Sequence, residues 1–160
     1  MPTTSQSTDY VNADDPQVTV VNSDVDAQAS TAWNDVVSDL VAGYCLKTSL
    51  NSEPNARKLS LPDTKGNYVT DIVRYSYGAD VRFDDPIETY KLTPGIEFML
   101  PEVALGANVS VGGYLVADSD GSLAAKAAAT DYVVFQALSA GTAAGDGYFR
   151  AISVCSPVAA

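Results

Sequence analysis

From Tyr44 onward, the chain alternates short runs rich in Val, Ile, Tyr and Phe with segments rich in turn-forming residues. The runs read YCLKTSL, NYVTDIVRYSY, IETYKL, IEFML, YLVA, DYVVFQAL and GYFRAISV. The segments between them read SEPN, PDTKGN, FDDP, TPG, DSDG and TAAGDG, and Gly, Pro, Asp and Asn are the residues that turns favour. Many short strands at this spacing predict an all-β chain, folded as a compact small β-barrel or sandwich of short antiparallel strands.

The N-terminal part of the chain has a different composition. Residues 1–23 are polar and acidic and contain few large apolar groups, so they cannot bury enough surface to offset the entropy of ordering. We therefore predict a flexible acidic N-terminal arm at 1–23, with one possible strand at Gln17–Val21, and a single β-rich domain at 24–160. An arm that becomes ordered on a neighbouring subunit is the alternative.

One segment shows helical periodicity. Trp33, Val36, Val37, Leu40 and Val41 have the spacing of an amphipathic helix, which predicts a short helical turn. The same segment is rich in Val and Asp, which are poor helix formers. The sequence therefore leaves open whether residues 30–43 are helical.

The sequence also contains a weak internal repeat. The pairs Gly43-Tyr44 and Gly113-Tyr114 align, as do the apolar runs Val69–Val73 and Tyr132–Phe135, and the first copy has a longer loop at Ser49–Lys58. This pattern predicts two related β-units packed into one domain. Two unrelated hairpins of similar composition would also produce it.

The charge balance argues against some classes of partner. The net charge is −11, with 16 Asp and 4 Glu against 5 Lys and 4 Arg. Such a surface repels a phosphate backbone, so we expect no nucleic-acid partner. An Asp-rich, Lys-poor surface fits a protein of very salty cytoplasm as well as an ordinary acidic domain.

The residues of common catalytic and metal sites are scarce. The chain has no His, and Cys45 and Cys155 lie in apolar surroundings as expected of buried free thiols. The acidic pairs Asp14-Asp15 and Asp84-Asp85 each precede a proline, as turn residues do, and D-S-D-G at 118–121 lacks the later ligands of a calcium loop. We therefore expect a hairpin there, and no catalytic residue, cofactor or metal in the protein, which is not an enzyme.

The first residues do not have the pattern of an export signal, and no apolar run is long enough to span a membrane. The expectation is a protein made in the host cytoplasm without a membrane partner.

Residues 92–154 show the pattern G-x-x-V-x-x-G-x-x-L-V-x-x-x-x-G-x-L, followed by an apolar strand, a Gly-rich turn and a final strand YFRAISV. This stretch resembles the capsid decoration (cement) proteins of tailed viruses, and residues 40–91 resemble them loosely. The acidic composition is most similar to members from haloarchaeal viruses. The resemblance implies a β-rich structural virion protein, often a homotrimer, that binds the major capsid protein on the outer surface of the capsid and stabilises the head.

Exposed aromatic side chains are the candidates for capsid or subunit contact, and we select Tyr75, Tyr77, Phe83 and Tyr90. Plain core packing is the alternative for each. The rival functions are another virion component, such as a tail tube or spike, and a surface β-sandwich that binds sugar or calcium.

Overall fold

The computed structural model describes residues 16–21, 27–34, 40–50, 52–54, 56–77 and 85–157. Its strands are β1 (Thr19–Val20), β2 (Gln28–Asn34), β3 (Cys45–Thr48), β4 (Lys58–Ser60), β5 (Asp71–Val73), β6 (Pro86–Lys91), β7 (Glu97–Pro101), β8 (Tyr114–Ala117), β9 (Leu123–Ala125), β10 (Tyr132–Ala137) and β11 (Tyr148–Pro157). β2–β6 close into a barrel, and the other strands form a sheet in the order β1-β7-β11-β10-β8-β9. The all-β prediction is confirmed, although one strand pair, β2 with β4, is parallel.

The helical turn predicted around Trp33 is wrong for the described part of that segment. Residues 28–34 form β2, in which Ala32 and Asn34 are buried while Trp33 is 37% exposed. β2 pairs with β6 over six residues, and this long-range ladder overrides a weak local preference for helix. Val36 and Val37 lie outside the described residues, and the described chain has its helical turn elsewhere, as a single 3-10 turn at Glu102–Ala104.

The possible strand at Gln17–Val21 is present as β1. Thr19 pairs with Met99 of β7, and Val18 is buried in the core at 1% exposure. Residues 16–21 are thus packed on the domain, which corrects the prediction of a flexible arm for this part. The rest of the predicted arm, residues 1–15 and 22–23, lies outside the described residues.

The two sheets contain the same five-stranded unit, which confirms the internal repeat. The first unit is β2–β6, with the antiparallel order β2-β6-β5-β3-β4, and the second unit is β7–β11, with the order β7-β11-β10-β8-β9. The registers also agree: Leu46 lies opposite Asp71 in the first unit, and Leu115 lies opposite Phe135 in the second. In the first unit the parallel β2–β4 pairing closes the barrel. In the second, an isolated parallel bridge from Leu105 to β9 takes that place.

The structure shifts the predicted alignment by one residue. Gly43 corresponds to Gly112 rather than Gly113, because the Gly43 N–H donates to the Val73 carbonyl as the Gly112 N–H donates to the Ala137 carbonyl. Both glycines have positive φ, +98° and +84°. The chain therefore enters β3 and β8 through the same left-handed turn.

The longer loop of the first unit is a true insertion. The N–H of Ser49 donates to the Lys58 carbonyl, and the N–H of Asp118 donates to the Ser122 carbonyl at the equivalent place. Between these closing residues lie eight residues, 50–57, in the first unit and three, 119–121, in the second.

The units share one core, which contains Cys45 and Ile72 from the first and Phe98, Leu115 and Phe135 from the second. A separate cluster fills the interior of the barrel. Because the larger core crosses both units, neither unit buries its apolar surface without the other.

Candidate functional site

The structure brings three of the four predicted contact residues together, two on the segment after β5 and one on β6. Tyr75 and Tyr77 contact each other edge to face, with ring centroids 6.5 Å apart. The Arg74 guanidinium carbon lies 5.0 Å from the ring centroid of Tyr75 and 5.1 Å from that of Tyr90, so the cation is held between two aromatic faces. Phe83 lies outside the described residues.

These aromatic residues differ in accessibility. Tyr77 is 2% exposed, and its hydroxyl accepts a 2.8 Å hydrogen bond from the Glu88 N–H. Burial raises the pKa of Tyr77 to about 12. Tyr77 is therefore a core residue, whereas Tyr75 and Tyr90 are half-buried and keep part of their surface open.

A polar network that the sequence reasoning did not select lies inside the first unit. Asp71 is fully buried, and its carboxylate accepts hydrogen bonds from Nη1 and Nη2 of Arg57 at 2.6 and 2.9 Å. The hydroxyls of Thr70 and Thr89 donate to the same carboxylate at 2.7 Å each, and Nη2 of Arg57 also donates to Ser30. The hydrogen bonds to Asp71 raise the pKa of Arg57, which stays charged.

The equivalent place in the second unit is apolar. By the strand registers, Phe135 takes the place of Asp71, Ala151 that of Thr89, and Phe98 that of Ser30. Phe98 and Phe135 contact each other edge to face, with ring centroids 5.8 Å apart. One scaffold therefore holds a charged network in one unit and an aromatic pair in the other. The sequence signal for the network was the insertion at 49–58, which contributes Arg57.

A cavity of about 250 Å³ opens beside this network. It is lined by Thr48, Arg57, Tyr68, Thr70, Asp71, Lys91, Leu92 and Thr93. The Asp71 carboxylate is saturated by its four donors, and no buried side-chain polar atom of the described residues lacks a partner. The network therefore acts as a structural clamp that fixes the inserted loop on the barrel.

The D-S-D-G stretch forms the hairpin turn that the sequence predicted. The Gly121 N–H donates to the Asp118 carbonyl, and the Asp120 carboxylate accepts from the backbone N–H and the hydroxyl of Ser122. The carboxylates are thus used within the turn. In the described ranges, no three His, Cys, Asp or Glu side chains are grouped as a metal site would need.

The thiols are not activated in this structure. Burial raises the pKa of Cys45 well above its ordinary value and that of Cys155 to about 11. Both cysteines are free, and at neutral pH both are protonated and weakly nucleophilic.

Several apolar side chains remain exposed on the surface of the described chain. Leu50, in the inserted loop, is 99% exposed, and Val111, in the turn before β8, is 69% exposed. No helix in the described ranges is long and apolar enough to cross a membrane.

No family model matches this chain, and neither does any curated protein. Among solved structures, it is similar to the crystal structure of the head fiber gp8.5 N base in bacteriophage phi29, with a TM-score of 0.54. The similarity covers 83% of this chain and 98% of that one, at 15% sequence identity. At this identity the likeness establishes a shared fold. It includes both units, since neither alone amounts to 83% of the chain.

Proposed function

We propose that this chain is a structural virion protein, a capsid decoration protein that binds the major capsid protein on the outer surface of the assembled head and stabilises it. The observation that carries the proposal is the fold, which is shared over most of the chain with the base of a phage head fiber. The decoration-protein pattern at residues 92–154, a stretch that contains β7–β10 and most of β11, also supports it.

The chemistry of the described residues fits a binding role better than a catalytic one. The buried carboxylate of Asp71 is held by Arg57 and two hydroxyls, and the two thiols have raised pKa values. These groups serve packing, which supports the proposal of a binding protein that is not an enzyme and has no cofactor. Exposed apolar side chains such as Leu50 and Val111 are the kind of surface that contact with other subunits buries.

The proposed assembly is a homotrimer on the virion of a tailed virus with a haloarchaeal host, made in the host cytoplasm and added to the finished shell. A trimer gains avidity on a shell, because its second and third contacts are intramolecular. The charge of −11 fits a salty medium, in which screening reduces self-repulsion. Tyr75 and Tyr90 are the proposed contact residues.

Co-sedimentation tests this role. The purified protein is mixed with undecorated shells of its virus at low and at multi-molar salt, and the bound fraction is measured. Saturable binding supports decoration, and the ratio to capsid subunits gives the symmetry of the site. Absence of binding at both salt concentrations contradicts the decoration role and favours a role in the tail tube or spike.

A matched pair of variants tests the contact surface. Tyr75→Ala changes a side chain beside Arg74, and Tyr68→Ala removes a ring that is 61% exposed on the second unit's side of the barrel, against Tyr132. Weaker shell binding by the first variant alone supports the tyrosine surface. Equal binding by both contradicts it.

A further inference from the structure

The internal repeat makes β7 of the second unit and β2 of the first unit equivalent strands, and the two differ in how far the edge facing away from β11 or β6 is paired. On β7, β1 adds as a further antiparallel strand: Thr19 pairs with Met99, and the Val21 N–H donates to the Glu97 carbonyl at 2.9 Å. This edge therefore has its backbone hydrogen bonds satisfied by the N-terminal segment of the same chain.

By register, Ala29 and Thr31 of β2 correspond to Glu97 and Met99 of β7. The Asn34 N–H donates to the carbonyl of Asp85, directly before β6. Because every second residue of an antiparallel strand bonds to the same neighbour, the N–H and C=O groups of Ala29 and Thr31 point away from β6. β4 pairs with β2 at Trp33 and Asn34. Among the described residues, the backbones of Ala29 and Thr31 have no hydrogen-bond partner.

The side chains of Ala29 and Thr31 are exposed. Next to this edge, at the Trp33–Lys58 pair, the surface has a cavity of about 230 Å³, which Glu53 and Ala56 also line. In the inserted loop, the backbones of Glu53 and Ala56 hydrogen-bond to each other, and the Arg57 carbonyl accepts from the Trp33 N–H, so the described part of the loop meets the β2 backbone at Trp33 and not at Ala29 or Thr31. An exposed, unpaired edge of this kind is a template for strand addition.

We propose that the β2 edge at Ala29–Thr31 is a strand-addition site that receives the N-terminal segment, residues 1–15, of a second copy of this chain. That segment continues into β1, which occupies the equivalent edge of the second unit. Fifteen extended residues reach about 50 Å, which is enough to cross to a neighbouring molecule.

Charge favours the same occupant. Residues 1–15 contain Asp9, Asp14 and Asp15 and no Lys or Arg. On the side of β2 that faces away from β6, Lys58 of β4 lies opposite Trp33, at one end of the proposed edge. The inference deepens the proposed self-association and does not require that the protein bind capsids.

Hydrogen exchange of single amides tests it on the full-length protein. The amides of Ala29 and Thr31 are followed by NMR over a series of protein concentrations, with Met99 as the matched reporter at the covered edge. If a second copy supplies the strand, exchange at Ala29 and Thr31 slows by about 100-fold or more as concentration rises, while Met99 stays protected throughout.

A variant identifies the segment. Val11→Pro with Asn12→Pro removes two adjacent N–H donors from residues 1–15 and leaves the described residues unchanged. Loss of the concentration-dependent protection in this variant, with Met99 unaffected, supports the assignment.

Three outcomes overturn the proposal: fast exchange at every concentration, protection that is independent of concentration, and protection that survives the double proline. Protection that arises only when shells are added would assign the edge to a capsid strand instead. In that case the proposed decoration role would stand while this inference fails.

Discussion

Replacing Arg57 by Ala should lower the free energy of unfolding by about 3 kcal/mol, because removing one partner of a buried ion pair leaves an uncompensated charge and costs about 3–5 kcal/mol. The lower end applies here, since the Arg57 side chain is 28% exposed and Asp71 keeps the hydroxyl bonds from Thr70 and Thr89. In a chain of this length, such a loss lowers the melting temperature by about 6–12 °C. Urea unfolding followed by the fluorescence of Trp33, at fixed salt and neutral pH, measures it.

The second unit supplies the control, because Phe135 shows that this position accepts an apolar side chain. Arg57→Leu combined with Asp71→Leu replaces both charges, and such replacements of a buried pair are often neutral or stabilising. The double variant should therefore recover at least half of the loss. A single variant within about 1 kcal/mol of the parent protein, or a double variant less stable than the single one, would refute the reasoning.

Three further results are expected. Tyr77→Phe should lower the free energy of unfolding, measured in urea, by about 1–2 kcal/mol, because it leaves the Glu88 N–H unpaired. The pKa of Tyr77 is raised from 10.0 to about 12 in the folded protein, so its contribution to stability is complete below pH 10 and is lost as the pH rises through 12. A titration of tyrosinate absorbance, compared between the parent protein and the variant, checks this pH range. Gly43→Ala should lower the free energy of unfolding by about 2–4 kcal/mol, and the equivalent Gly112→Ala by about 1 kcal/mol. Both positions have positive φ, but a Cβ on Gly43 would lie 2.7 Å from the Cβ of Ala104, whereas Gly112 faces open space. Similar losses for the two variants would contradict this explanation. The net charge of −11 predicts that the melting temperature rises with molar NaCl, and calorimetry showing a fall would contradict a halophilic origin.

The strand-rich architecture was predictable because strand and turn preferences are local properties. The runs after Tyr44 are bounded by Gly, Pro and Asp, and the pair of Gly-Tyr sequences was enough to detect the repeat. The alignment missed by one residue, since it matched Gly113 by letter, whereas the left-handed turn is at Gly112. Only the hydrogen-bond register distinguishes two adjacent glycines.

Features that depend on distant partners were not predictable. The apolar spacing from Trp33 fits a helix, but β2 forms because β6, more than fifty residues later, supplies its ladder. In the sequence, Asp71 is an isolated acidic residue in an apolar run. Its burial is explained by the ion pair with Arg57, which comes from the inserted loop. Of the four aromatic residues selected, Tyr77 is buried, Tyr75 and Tyr90 keep accessible surface, and their contact role stays a prediction.

The position of β1 also has a consequence for biosynthesis. A ribosome makes Thr19 long before Met99, so β1 emerges while the strand it finally pairs with does not yet exist. The strands of the first unit, with the equivalent edge at Ala29 and Thr31, are all made before β7. The newly made β1 segment can thus meet the β2 edge before the β7 edge exists, either on its own chain or on a neighbouring chain of the same polysome. Correct folding depends on how briefly it stays there, because long-range strand pairing is slow and early wrong pairing is the step at which such chains misassemble.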